Sequence, residues 1–132
     1  MLRVKPDRTG PWSEIPDSAR LIVSRKKCSV CGAKYGKLTA VSTLSIVLPK
    51  QAIDHLLPRR FLEGRGINPH RTGNLLSVCA SCHGKKVAFE ERLFAGDTLG
   101  FLQGIKQAGY PVEKVIRFAL SVGLVEFKSF HL

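Results

Sequence analysis

The chain has 132 residues, 44% of them apolar, enough for one packed core. No stretch approaches the roughly 18 apolar residues of a membrane span, so a membrane-embedded class is excluded as an expectation. The formal charge is +11, from 21 Lys+Arg against 10 Asp+Glu, which disfavours cationic partners and points to a polyanion, with nucleic acid the usual one. That excess is uneven. Residues 1–87 carry 16 basic and 5 acidic side chains, whereas residues 88–132 carry five of each.

Taken in chain order, residues 1–27 read as a basic N-terminal arm. Pro6, Pro11 and Pro16 interrupt any periodicity, and Arg3, Lys5 and Arg8 can follow a phosphate backbone. The stretch lacks the continuous apolar run of a secretion signal, so a cytoplasmic location is expected. Residues 19–27 fit a short strand and a short helix equally. Cys28-Ser-Val-Cys31-Gly32 is a two-cysteine knuckle with a glycine suited to its tight turn. The β-branched run over residues 37–49 predicts a strand, and residues 50–58 a second extended segment ending near Asp54-His55. Residues 59–73 read as loop, with three glycines, Pro69, and the arginines Arg59, Arg60, Arg65 and Arg71.

Residues 74–79 then form a short strand entering a second knuckle, Cys79-x-x-Cys82. A helix follows to Gly96, with Val87, Leu93 and Phe94 expected on one face. Residues 96–132 read as a helical extension. Asp97 or Thr98 caps a helix running to about Ala108, and Pro111 opens a second one reaching Ser121. Val112, Val115, Ile116 and Ala119 make an apolar stripe suited to packing on the core or to a homodimer through these helices. A helix-turn-helix DNA reader is disfavoured because this region is neutral. His131, close to the end, is expected to be disordered.

The two cysteine pairs share one spacing. Each pair can aim two thiolates at one ion, and together Cys28, Cys31, Cys79 and Cys82 complete a tetrahedron for a structural Zn²⁺. The 47 residues between the pairs far exceed a simple zinc ribbon, so another element is inserted between them. That insert holds Asp54 and His55. Adjacent residues on a strand point to opposite faces, so Asp54 can offer a hard oxygen to a divalent cation while His55 faces away from it. His83, fixed by the neighbouring knuckle, can supply an imidazole to the same cation. His55, near neutrality in its ordinary pKa, suits the proton acceptor for an attacking water. His70, lacking an acidic neighbour, is read as a loop residue, and Trp12 as a packing residue.

The composite Asp54-His55-x-x-Pro58, Asn74-Leu75 and Cys79-x-x-Cys82-His83-x-x-Lys86, preceded by Cys28-x-x-Cys31, resembles the HNH endonuclease family over residues 28–95. It is most similar to the zinc-stapled, four-cysteine members of phage and bacterial type. The resemblance implies an α+β fold built on the ββα-metal motif, a β-hairpin and a helix around one catalytic Mg²⁺ or Mn²⁺. It implies Asp54 and His83 as ligands of that cation, His55 as general base, and Asn74 as the residue bracing the loop that carries the base. It further implies double-stranded DNA as partner and a bacterial or phage-infected cytoplasm. Arg59, Arg60, Arg65, Arg71, Lys85 and Lys86 are then the expected DNA contacts. The alternative from the residues alone is a non-catalytic, zinc-stabilised nucleic-acid-binding module. It leaves unexplained why Asp54, His55, Asn74 and His83 occur together.

Overall fold

The computed structural model describes residues 12–36 and 50–130. The strand expected over residues 37–49, the basic residues Arg3, Lys5 and Arg8, and His131 lie outside the described residues. The fold is mixed α+β. In order come α1 (Asp17–Val23), β1 (Gln51–His55), α2 (Arg59–Glu63), β2 (Leu75–Cys79), α3 (Ala80–Phe94), α4 (Thr98–Gln107) and α5 (Val112–Ser121). Single 3₁₀ turns occupy Thr72–Asn74 and Val125–Phe127. None of the described helices is long and apolar enough to cross a membrane.

β1 and β2 pair antiparallel, with Gln51 opposite Cys79, Asp54 opposite Leu76 and His55 opposite Leu75. β2 is buried along its whole length because both faces are covered. Leu75 packs with Ala19 and Val23 of α1, joined by Ile15 and Ile53. Leu76 and Val78 point the other way, into the main core with Leu93, Phe101 and Val115. The alternation of the strand thus fixes two sides, and Asp54 and His55 fall one to each.

Three expectations are corrected. Residues 12–27, the described part of the expected N-terminal arm, pack on the body of the fold, since Ala19 and Val23, four apart on α1, are buried against β2. Residues 59–73 are not all loop. α2 forms because Pro58 sets its entry and Phe61 and Leu62 are buried, with a partly buried Arg59–Glu63 pair spanning it. On α3 the inward face is Cys82, Lys86, Phe89 and Leu93, whereas Val87 and Phe94 are each nearly half exposed. A cysteine and a lysine occupy two of the inward positions, which hides the apolar period.

The tail belongs to the same core. Asp97 caps α4 by accepting from the Gly100 amide at 2.9 Å, and Phe101, Leu102 and Ile105 face inward. α4 lies against α3 so closely that a Cβ at Gly104 would overlap the Phe89 ring. The α5 stripe of Val112, Val115 and Ala119 is buried within the chain, with Phe118 added to it.

Candidate functional site

The four cysteines converge at the Cys79 end of the β ladder. Cys28 and Cys31 sit on a turn closed by Gly32, whose φ of 76° lies in the left-handed region that glycine adopts freely. The Cys28 amide donates to Ala33 O at 2.8 Å, and the Ser29 amide donates to Ser77 O at 2.9 Å, docking the turn on β2. Cys79 ends β2 and Cys82 lies in the first turn of α3. All four thiols are free, and their sulfurs lie within 4.8 Å of one another. The Cys31 and Cys79 sulfurs are 3.8 Å apart. Two sulfurs each 2.3 Å from a tetrahedral ion stand about 3.8 Å apart, so the donor set fits a structural zinc. The amides of Val30 and Cys31 point at the Cys28 sulfur from 3.4 and 3.5 Å. Burial pushes the Cys28 thiol up, but these and neighbouring amides outweigh it and hold it down at about 6. The four cysteines are thus positioned to bind a metal ion.

At the opposite end of the ladder, Asp54 turns toward α3. It is buried, with Oδ1 3.3 Å from His83 Nε2 and Oδ2 3.4 Å from Lys86 Nζ. Lys86 is fully buried and donates to the His55 carbonyl at 2.9 Å and to Glu90 at 2.6 Å. Its amine also lies over the rings of Phe101 and Tyr110. Burial pushes the Asp54 carboxyl up, yet the His83 contact and the Lys86 charge outweigh it and hold it below the ordinary value. The same contact raises His83 against the downward push of burial. Asp54 Oδ2 and the Tyr110 hydroxyl are buried without hydrogen-bond partners among the described residues.

His55 points to the other face. Its Nε2 is 3.0 Å from His70 Nδ1, and His70 Nε2 is 2.9 Å from the Trp12 carbonyl oxygen. Burial, then the neighbouring His70, lowers His55 to about 4, so it is neutral at pH 7. Asn74 lies buried below the turn that follows β1. Its Oδ1 accepts from the Leu57 amide at 2.8 Å, and its Nδ2 donates to the carbonyls of Leu57 and Pro69 at 3.1 and 3.0 Å. Asp54, His55, His83 and Glu90 line one open pocket of about 260 Å³, with Pro58, Arg59, Arg60 and Phe94 as its other walls.

The expected DNA contacts divide. Arg60 is exposed at the pocket wall, over the Phe94 ring, and Arg71 and Lys85 are exposed. Arg65 stacks on Phe61 and pairs with Glu126 at 3.4 Å, away from the pocket. Lys86 is corrected: with no exposed surface and its amine held by His55 O, Glu90 and Asp54, it cannot meet a phosphate. Arg59 is tied down as well, donating to the Ser13 and Trp12 carbonyls and pairing with Glu63. Glu90 and Tyr110 escape the sequence reading, and His70, set aside there as a loop residue, is buried against His55. Also missed is a lysine cluster beside the Cys28–Cys31 knuckle, where Lys26, Lys27, Lys34 and Lys50 line a concavity together with Tyr35 and Gln51. One trace of it is in the sequence, because residues 18–53 contain no Asp or Glu at all.

No family model, curated protein or solved structure matches this chain. The functional reading therefore rests on the chain's own residues.

Proposed function

We propose that the protein is a metal-dependent endonuclease of HNH type, hydrolysing phosphodiester bonds in double-stranded DNA. One observation carries the reading: Asp54 Oδ1 and His83 Nε2, from β1 and α3, meet at 3.3 Å in the pocket that His55 also lines. Asp54 Oδ2, buried and without a hydrogen bond among the described residues, faces the Lys86 amine at 3.4 Å, so Oδ1 is the oxygen offered to the cation. Asp54 and His83 would hold a divalent cation, Mg²⁺ or Mn²⁺, which neutralises charge on the scissile phosphate and the leaving oxygen. His55, neutral and outside the pair of ligands, takes the proton of the attacking water as the new P–O bond forms and the old one breaks. Asn74 keeps the backbone after His55 in place, and Arg60 meets the phosphate from the pocket wall. The four-cysteine site, holding zinc, would join the Cys28–Cys31 turn to the end of β2 and the start of α3, and so brace the helix that carries His83.

Substrate binding follows from charge. The lysine cluster at Gln51 and the pocket at His55 are separated by roughly 13 Å of strand, close enough for one duplex to touch both.

A second reading has one observation in its favour. Lys86 already neutralises Asp54 from inside, which suits a non-catalytic binding module whose acid is purely structural. Supercoiled plasmid incubated with the zinc-loaded protein separates the two. Nicked or linear product with Mg²⁺ or Mn²⁺, and none with EDTA, is the expected result. Tight plasmid binding without cleavage under every metal overturns the nuclease reading and leaves the binding module.

A further inference from the structure

His70 belongs to neither the Asp54–His83 pair nor the cysteine cluster, yet it is buried and both ring nitrogens are engaged. Its Nε2 faces the Trp12 carbonyl oxygen at 2.9 Å. A carbonyl has no hydrogen to give, so Nε2 carries the proton and donates it. In the neutral ring Nδ1 then holds a lone pair and only accepts. The atom 3.0 Å from it, His55 Nε2, must carry a hydrogen for the pair to bond. A neutral His55 has one ring hydrogen, and this contact places it on Nε2. Nδ1 keeps its lone pair and has no hydrogen-bond partner among the described residues, while the ring borders the pocket beside Asp54 and His83. A doubly protonated His70 would reverse the bond. It would also bury a second cation against the Trp12 carbonyl that the Arg59 guanidinium already occupies.

The anchor is itself fixed. Arg59 donates to the carbonyls of both Trp12 and Ser13, and its Nε pairs with Glu63 on α2. The two lone pairs of the Trp12 oxygen are thus taken by Arg59 and His70. The chain Arg59, Trp12, His70, His55 brings residues far apart in sequence to bear on one imidazole.

We propose that His70 is a positioning residue that locks His55 in the Nε2–H tautomer and so presents Nδ1 to the pocket as the nitrogen that accepts a proton. The catalytic consequence rests on the nuclease reading above; the tautomer assignment does not. In the hydrolysis, the Nδ1 lone pair takes a proton from water. The water oxygen bonds to phosphorus, and the leaving oxygen departs with the electron pair of the broken P–O bond. The Nε2–H bond to His70 persists throughout. Without His70, His55 divides between tautomers, and the fraction with hydrogen on Nδ1 has no lone pair facing the water.

The test is ¹⁵N-correlated NMR of the histidine rings in the full-length, zinc-loaded protein with Mg²⁺ at neutral pH, where protonated and lone-pair imidazole nitrogens give well-separated shifts. The expected spectrum has His55 protonated at Nε2 and not at Nδ1. His70→Phe should mix the two tautomers and lower plasmid cleavage by about 10²-fold or more. His70→Gln should restore the Nε2–H form and most of the cleavage, because its amide can accept from His55 and donate to Trp12 at once. A wild-type His55 protonated at Nδ1 overturns the proposal, and so does an unchanged Nε2–H tautomer in His70→Phe. If His70→Phe does not fold, the wild-type and His70→Gln spectra decide alone. A wild-type protein with the Nε2–H form that cuts no plasmid supports the tautomer lock and overturns the nuclease reading instead.

Discussion

The two ends of the β1–β2 ladder carry sites of opposite character. At the Cys79 end, four thiols of one kind close on a single point. At the His55 end, the carboxylates of Asp54 and Glu90 and the imidazoles of His55 and His83 line a pocket open to solvent, with the buried Lys86 amine paired to both carboxylates behind it. The same helix serves both, since Cys82 and His83 are consecutive on α3. Four soft protein ligands leave an ion no position for substrate, whereas a two-residue ligand pair leaves several. The first arrangement suits holding the chain together and the second suits chemistry. One hairpin and one helix can do both because the strand spaces the two sites roughly 13 Å apart, from Gln51 to His55.

The comparison breaks most visibly at the cysteines. If they share a zinc, Cys79→Ser should abolish cooperative unfolding, because a structural zinc supplies on the order of 10 kcal/mol of apparent binding free energy that is also folding free energy. Circular dichroism on heating, beside elemental zinc content, reads this. A metal-free variant melting like the wild type contradicts it. Lys86→Met tests the other end. It leaves Glu90 and Asp54 without their buried cation, and removing one partner of such a network costs about 3–5 kcal/mol. Urea unfolding should give that loss with zinc content unchanged, whereas zinc loss would mean that the two ends are not separable.

Asn74→Ala should cost less. It strands the buried Leu57 amide together with the Leu57 and Pro69 carbonyls, and an unsatisfied buried group costs about 1–3 kcal/mol. On the proposed reading cleavage falls further than stability does, because the displaced backbone follows His55. The smallest stability effect belongs to the surface. Changing Lys26, Lys27, Lys34 and Lys50 to Ala should leave the melting temperature near that of the wild type. It should flatten the salt dependence of DNA affinity by about 0.9 of log–log slope for each phosphate no longer neutralised. Lys106→Ala, in the neutral tail, should leave the slope unchanged. An equal effect from Lys106 would move the nucleic-acid interface to the tail.

The cysteine site is legible in the sequence because two identical spacings carry its geometry on their surface. Asp54 and His55 are legible as opposite-facing neighbours because strand alternation is a local rule. Lys86 is not, since a lysine on a helix reads as solvated until its three partners, from β1 and its own α3, are in place. α2 is five residues long, too short to show a period, and forms by burying Phe61 and Leu62. His70 and Arg59 both answer to the backbone of Trp12 and Ser13, 46 to 58 residues earlier, and no spacing encodes a bond to a carbonyl. The inward face of α3 is hidden for a related reason, because Cys82 of the thiol cluster and the ion-paired Lys86 occupy positions that packing alone would give to leucine.

The central claim is that one end of the ladder holds the fold while the other performs metal-dependent cleavage. It is tested most directly by brief EDTA treatment of the zinc-loaded protein, followed by plasmid cleavage and zinc analysis on the same sample. The account predicts that cleavage stops while about one zinc per chain remains, and that added Mg²⁺ or Mn²⁺ restores it in the wild type but not in Asp54→Ala. Cleavage that survives with only the zinc present, or that returns fully in Asp54→Ala, would contradict it.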